Sequence, residues 1–271
     1  MLRVLVAELR KLRRPTLLFP TLLAAISLTA LSTSLLYLLI DSPNGNGREG
    51  MRVTPAQLSM SSGVVFGFQQ VATLLGIIAL CVFAAQTAQE YTYGTLRNLL
   101  VRQPSRMKVL TGKFLSMAVF AFVLVLVCEV VSVLLSLLLA ADARVKTDLW
   151  FSSAGWESQL HALGNVYLAA LGFGLIGMIL GILFRSPISA ISIGVIWILI
   201  VETLLTVAVK NIDHWLPGQL LNSVALGGNR IKVDDHWVGN TFIYALALIG
   251  AYLLVTGSAT AFLFKKRDVS S

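Results

Sequence analysis

The sequence predicts an all-α integral membrane protein with six transmembrane helices, an N-terminal amphipathic helix and a charged helical segment between spans 2 and 3. Three observations carry this expectation. The chain is 56% hydrophobic and only 13% charged, where soluble domains are about a quarter charged. Its mean hydropathy is +0.81. Six apolar runs each approach or exceed the roughly 20 residues a helix needs to cross a bilayer core. They are continuous, unlike the alternating segments of about ten residues that build a transmembrane β-barrel. With short loops between runs, residues 1–271 form one transmembrane domain.

The elements follow in order. "MLRVLVAELRKLRR" places Leu2, Leu5, Val6, Leu9 and Leu12 on one face at helical spacing, with Arg3, Arg10, Lys11 and Arg14 opposite. Residues 2–14 are therefore expected as a helix lying in the membrane interface, apolar face toward lipid, broken at Pro15. The first span, 17–40, exceeds the 7–15 residues of a signal h-region, and "SLLYLLIDSP" offers no small-residue cleavage site, so it reads as a permanent span. A polar loop rich in turn residues leads to span 2 at 63–85. Span 3 covers 114–140. The loop 141–162 carries Trp150 and Trp156, residues suited to the membrane interface. Span 4, 163–184, contains Gly177 and Gly181 in a GxxxG spacing that permits close helix approach, here expected within the chain. "RSP" joins it to span 5, 188–209, as a tight antiparallel hairpin. In the loop 210–240, "HWLPGQLLNSVALGG" is too apolar for a solvated loop and too short to span, so a re-entrant or interface-lying helix is expected there. Span 6 is 241–264.

Charge sets orientation. With the N-terminus in the cytoplasm, fourteen of the 21 Lys and Arg fall inside, although the outer loops are longer. Both termini are then cytoplasmic in a multi-pass protein of the cytoplasmic membrane. The net charge of +8 is mainly a topology signal and an attraction to anionic membrane lipid; no soluble basic face suggests nucleic-acid binding. Cys81 and Cys128 lie in spans and read as small buried side chains. His161, His214 and His236 lack the spacing of a metal site, and no catalytic residue or metal is expected.

Two acids lie inside spans. Glu129 shares a helical face with Ser132 and Ser136, and Glu202 with Thr206. A membrane carboxylate must face the bundle interior, find a partner or hold a proton. The two stripes are candidates for a transport path, against the plainer reading of interhelical hydrogen bonds.

The remaining stretch is "QEYTYGTLRNLLVRQPSRMKVLTGK". Residues 87–106 suit a short amphipathic helix, bent near Gly94 and ended by Pro104, with apolar and charged faces that a soluble partner could receive. This segment resembles the span 2–span 3 connection of type-2 ATP-binding-cassette (ABC) export permeases. The resemblance rests on Glu90, Gly94-Thr95-Leu96-Arg97, Leu99-Leu100, Pro104-Ser105-Arg106 and Gly112-Lys113, and extends more loosely to the "ELRKLRR" segment, the six spans and "WLP" at 215–217. It implies a coupling helix seated in a cleft of a separate nucleotide-binding cassette subunit, touched by Glu90, Tyr91, Gly94, Thr95, Leu96, Arg97, Leu99 and Arg102. It also implies a second permease copy, identical or related, and an amphipathic small molecule, peptide or lipid-like cargo. ATP and Mg would be bound by the partner, with no cofactor in this chain: "VLTGKF" lacks both the glycine five before Gly112 and the Ser or Thr after Lys113 that a phosphate loop requires. This subunit is thus not expected to hydrolyse ATP. The alternative is a proton-coupled secondary transporter using Glu129 and Glu202.

Overall fold

The computed structural model describes residues 2–39, 53–95, 105–209, 211–228, 231–233 and 236–266. The protein is a helical bundle, and among the described residues six helical segments are long and apolar enough to cross a membrane. In chain order, α1 is Leu2–Leu12 and α2 Pro15–Leu38. The short α3, Pro55–Leu58, and α4, Phe66–Gln70, precede α5, Ala72–Thr92. Then come α6, Arg106–Ala140, and α7, Ser153–Phe184. The next span is a composite: α8, Pro187–Ile196, then a π-helical turn, Trp197–Val201, then α9, Glu202–Ala208. It is followed by α10, Pro217–Ala225, and α11, Phe242–Lys266. A two-stranded antiparallel ribbon pairs β1, Ile231–Val233, with β2, His236–Val238. We call the end of the bundle that carries α1, the end of α5, the start of α6 and the α7–α8 turn the basal end, and the opposite one the distal end.

Proline and capping chemistry explain the starts. α2, α8 and α10 each begin with proline in the first turn, where its missing N–H costs nothing. α3 opens with a capping box: Thr54 accepts from the Gln57 amide while the Gln57 side chain accepts from the Thr54 amide. Arg185, with φ of 53°, ends α7, so the "RSP" hairpin is as tight as expected.

Four boundaries differ from the hydropathy reading. Span 2 begins at Ala72, not near residue 63, because Gly63–Gln70 form a 3-10 turn and α4, folded back against α2 and α6. Gly63 and Gly67 permit that fold. A Cβ at Gly63 would lie 1.8 Å from the Leu58 carbonyl oxygen, and one at Gly67 2.7 Å from Thr33 Oγ1. α5 continues basally to Thr92, and α6 starts at Arg106. The 35 residues of α6 span about 52 Å at 1.5 Å each, well beyond a core of about 30 Å. α7 starts ten residues before the apolar run, at Ser153, capped by Ser152. Trp150 departs from expectation in another way: it is fully buried, its indole N–H donating to the Leu58 carbonyl at 2.8 Å, and so it locks α3 to the loop instead of joining an interfacial belt. Trp156 is exposed.

The core is the α5–α7 pair. Gly177 and Gly181 face α5: a Cβ at Gly177 would meet the Leu80 carbonyl oxygen at 2.2 Å, and at Gly181 that of Ala84 at 2.9 Å. The GxxxG is therefore a seam inside the chain. In contrast, α2, α8–α9 and α11 leave most of their surface uncovered, with 22%, 22% and 11% of their apolar windows buried.

Candidate functional site

Among the described residues, the buried acids and lysine fall into three polar constellations. The first is a closed ring of charge at the basal end. α1 contributes Glu8 and Lys11, α5 contributes Glu90 from its last turn, and α6 contributes Lys113 from its second. Lys11 pairs with Glu8 and lies 3.1 Å from Glu90; Lys113 lies 2.8 Å from Glu90 and 2.9 Å from Glu8. Each charge thus touches two opposite ones, and the ring sums to zero. Lys113 also donates to the Gln86 carbonyl at 3.1 Å. Glu8, Glu90 and Lys113 are buried, a condition tolerated only because each is paired and hydrogen-bonded. Burial pushes the Glu8 carboxyl up, but the Lys113 charge and hydrogen bonds from both lysines outweigh it and hold it below its ordinary 4.5. Burial likewise pushes Lys11 down, while the Glu8 and Glu90 carboxylates prevail and hold it above its ordinary 10.5.

The ring changes the expected role of two elements. α1 does not simply turn an apolar stripe to lipid: Glu8 and Leu12 form its buried edge against the bundle, while Val6 is exposed. Glu90, expected to present its charge to a partner, is buried and bonded within its own chain. Tyr91 lies under Arg185, whose guanidinium carbon is 5.7 Å from the ring centroid. Gly94 makes the expected break, with φ of 63°, and Thr95 is exposed beyond it. Leu96, Arg97, Leu99 and Arg102 lie outside the described residues. Glu8 was hidden by the basic and apolar pattern around it. Its signal was being the sole acid among the first forty residues, three before Lys11.

The second constellation is a polar seam where α2 meets α6. Thr29, Thr33 and Tyr37 recur every four residues as the buried edge of α2. Thr33 and Ser132 share a hydrogen bond of 3.0 Å. The Tyr37 hydroxyl approaches Ser136 without closing one, and both oxygens are unpartnered. Glu129 lies on the same buried edge of α6, its Oε1 also without a partner. The expected stripe of Glu129, Ser132 and Ser136 is thus a buried face, and its partner helix is α2. The four-residue recurrence on the first span was the overlooked signal.

The third constellation is distal. Glu202 is fully buried; its Oε1 accepts from the Gly218 amide at 2.9 Å and its Oε2 from the Gln219 amide at 3.1 Å. These are N–H groups of the first turn of α10, which have no acceptor within the helix, so Glu202 caps a helix that lies far ahead in sequence. The π turn at Trp197–Val201, closed by the Glu202 N–H bonding to the Trp197 carbonyl, shifts the face on which Glu202 emerges. Gly218 lets the carboxylate in, since a Cβ there would sit 2.5 Å from Glu202 Oε2. Thr206 does not join it: its hydroxyl returns to the Thr203 carbonyl of its own helix. Glu129 and Glu202 therefore belong to separate clusters. Beneath α10, an apolar cavity of about 370 Å³ is walled by Ile176, Gly194, Trp197, Ile249 and Tyr252 among others.

Comparison with known proteins gives a family and one distant relative. The chain is similar to an uncharacterized protein, YhcI, of Bacillus subtilis (strain 168), at 24% identity over 212 residues, covering 73% of this chain and 66% of the relative, just under two thirds of its length. A family described as a protein of unknown function, DUF2705, matches residues 22–270, which include α5, α6 and the three constellations apart from Glu8 and Lys11. The chain belongs to the DUF2705 family.

Proposed function

We propose that this chain is the membrane subunit of an ABC exporter. It moves an amphipathic compound across the cytoplasmic membrane as one of two permease copies, powered by a separate cassette ATPase docked at residues 87–106. The observation that supports the reading best is the charge ring. It joins α1, the end of α5 and the start of α6, the helices that flank the docking segment. A load applied to that segment reaches α1 and α6 through these charge pairs. In this scheme Glu90 transmits and does not dock; Leu96, Arg97, Leu99 and Arg102 remain the contact set, with Tyr91 as support from behind. The exposed faces of α2, α8–α9 and α11 supply surface for a second copy and for lipid, and the apolar cavity beneath α10 suits an apolar moiety of the cargo. With Arg97→Glu, the complex purified with its cassette partner should keep its helix content and lose cargo-stimulated ATP hydrolysis. Unchanged stimulation, or full transport by the chain with no cassette protein bound, sinks the proposal.

A second reading, proton-coupled secondary transport, draws on the unpartnered Glu129 carboxylate. Glu202, the other acid it would use, is engaged by the α10 amides. Glu129→Gln separates the two readings: loss of transport with assembly and ATP hydrolysis intact favours a direct role for the carboxylate, and intact transport removes it.

A further inference from the structure

Beside the charge ring, a pocket of about 500 Å³ opens at the basal end between the α1–α2 junction and the last turns of α5. Lys11, Arg14 and Leu17 line one wall and Gln86, Gln89 and Tyr93 the other. Its electrostatics can be counted. Lys11 and Glu90 belong to the ring, which is neutral as a whole. Arg14 is the surplus: it is exposed, and among the described residues no carboxylate pairs with it. The pocket therefore carries one uncompensated positive charge.

Its depth is set by the chain. Arg14 is the residue before α2 begins at Pro15, and Leu17 is the first leucine of that apolar run. A cation thus sits at the membrane surface with an apolar residue one turn deeper, the order in which a phospholipid presents its phosphate and its acyl chains. We propose that this pocket binds the head group of an anionic phospholipid bearing hydroxyls, of the phosphatidylglycerol kind. The single negative charge of its phosphodiester matches Arg14. The head-group hydroxyls meet the amides of Gln86 and Gln89 and the phenol of Tyr93, which offer donors and acceptors. A choline or ethanolamine head group brings its own cation and leaves the Arg14 charge unmatched. The site depends only on the chain lying in a membrane, so it stands whether or not the chain works with an ATPase.

The test is native mass spectrometry of the full-length chain in detergent, titrated separately with phosphatidylglycerol, phosphatidylcholine and inorganic phosphate. The wild-type chain should retain phosphatidylglycerol over phosphatidylcholine. Arg14→Ala should lower phosphatidylglycerol retention about fivefold, the scale of one cation at a membrane surface, and Arg14→Lys should keep most of it. Arg10→Ala removes an exposed cation of α1 outside the pocket and should change little. Equal losses in Arg10→Ala and Arg14→Ala would mean diffuse attraction and overturn the site. So would equal retention of the two lipids, or displacement of phosphatidylglycerol by millimolar phosphate, which would assign the pocket to the free anion. Matching melting temperatures of the three variants and wild type establish that folding is not the cause.

Discussion

Replacing Lys113 with methionine tests the ring most directly. The change keeps an unbranched chain of similar length and removes the ammonium. Three interactions go at once: to Glu8 at 2.9 Å, to Glu90 at 2.8 Å and to the Gln86 carbonyl at 3.1 Å. Two carboxylates with side chains only 5% and 8% exposed are left to share Lys11. Removing one partner of a buried ion pair costs about 3–5 kcal/mol, mostly because the survivors stay buried and uncompensated. At about 2–4 °C per kcal/mol for a chain of this size, the melting temperature should fall by roughly 6–20 °C. The sharper measure is a double-mutant cycle with Glu8→Gln, followed by thermal unfolding in a fixed detergent. Glu8→Gln/Lys113→Met leaves one acid and one base, Glu90 and Lys11, and should recover a large part of the loss, with an interaction energy within about 0.5–3 kcal/mol. A fall of under 2 °C in the single variant, or strict additivity in the double, would show that water, and not the ring, satisfies these charges.

Further outcomes follow from the same structure. Gly177→Ala places a methyl 2.2 Å from the Leu80 carbonyl oxygen; backbone cannot yield there as a side chain would, so α5 and α7 must part, costing about 1–3 kcal/mol, read as a lower melting temperature. Gly164→Ala, inside the same helix where nothing lies within 4 Å, is the control and should leave the melting temperature unchanged or slightly raised. Glu202→Ala orphans two amides of α10, at about 1–3 kcal/mol each when buried, and hydrogen exchange should show the first turn of α10 losing protection. The ring also sets a pH window for α1. Glu8 is held below 4.5, so its contribution is present above that pH and lost as pH falls through the depressed value. Lys11 is held above 10.5, so its contribution is present below that pH and lost as pH rises through the raised value. Protease sensitivity of residues 2–12 should therefore be flat around neutrality and rise at both extremes; a rise near pH 7 would contradict the pairing.

By itself the sequence determined the helical class, the number of spans, the tight hairpin at residues 185–187, the bend at Gly94 and the helix inside the 210–240 loop. All of these follow from local causes: the length of an apolar run, a proline's missing N–H, a glycine's freedom at positive φ. The small-residue stripe on α7 was legible too, because close approach needs the absence of a Cβ wherever the partner helix comes from. Only the tertiary structure decided where the charges go. Glu8 and Lys113 are 105 positions apart, and Glu202 and Gly218 sit on opposite sides of a turn whose path no periodicity encodes. A hydropathy window scores Glu90 as polar whether it faces solvent or a buried ammonium. It scores residues 63–71 as apolar whether they cross a bilayer or fold back beneath α2. Burial depends on which surfaces meet, and in this bundle that meeting turned outward-looking acids into internal ties.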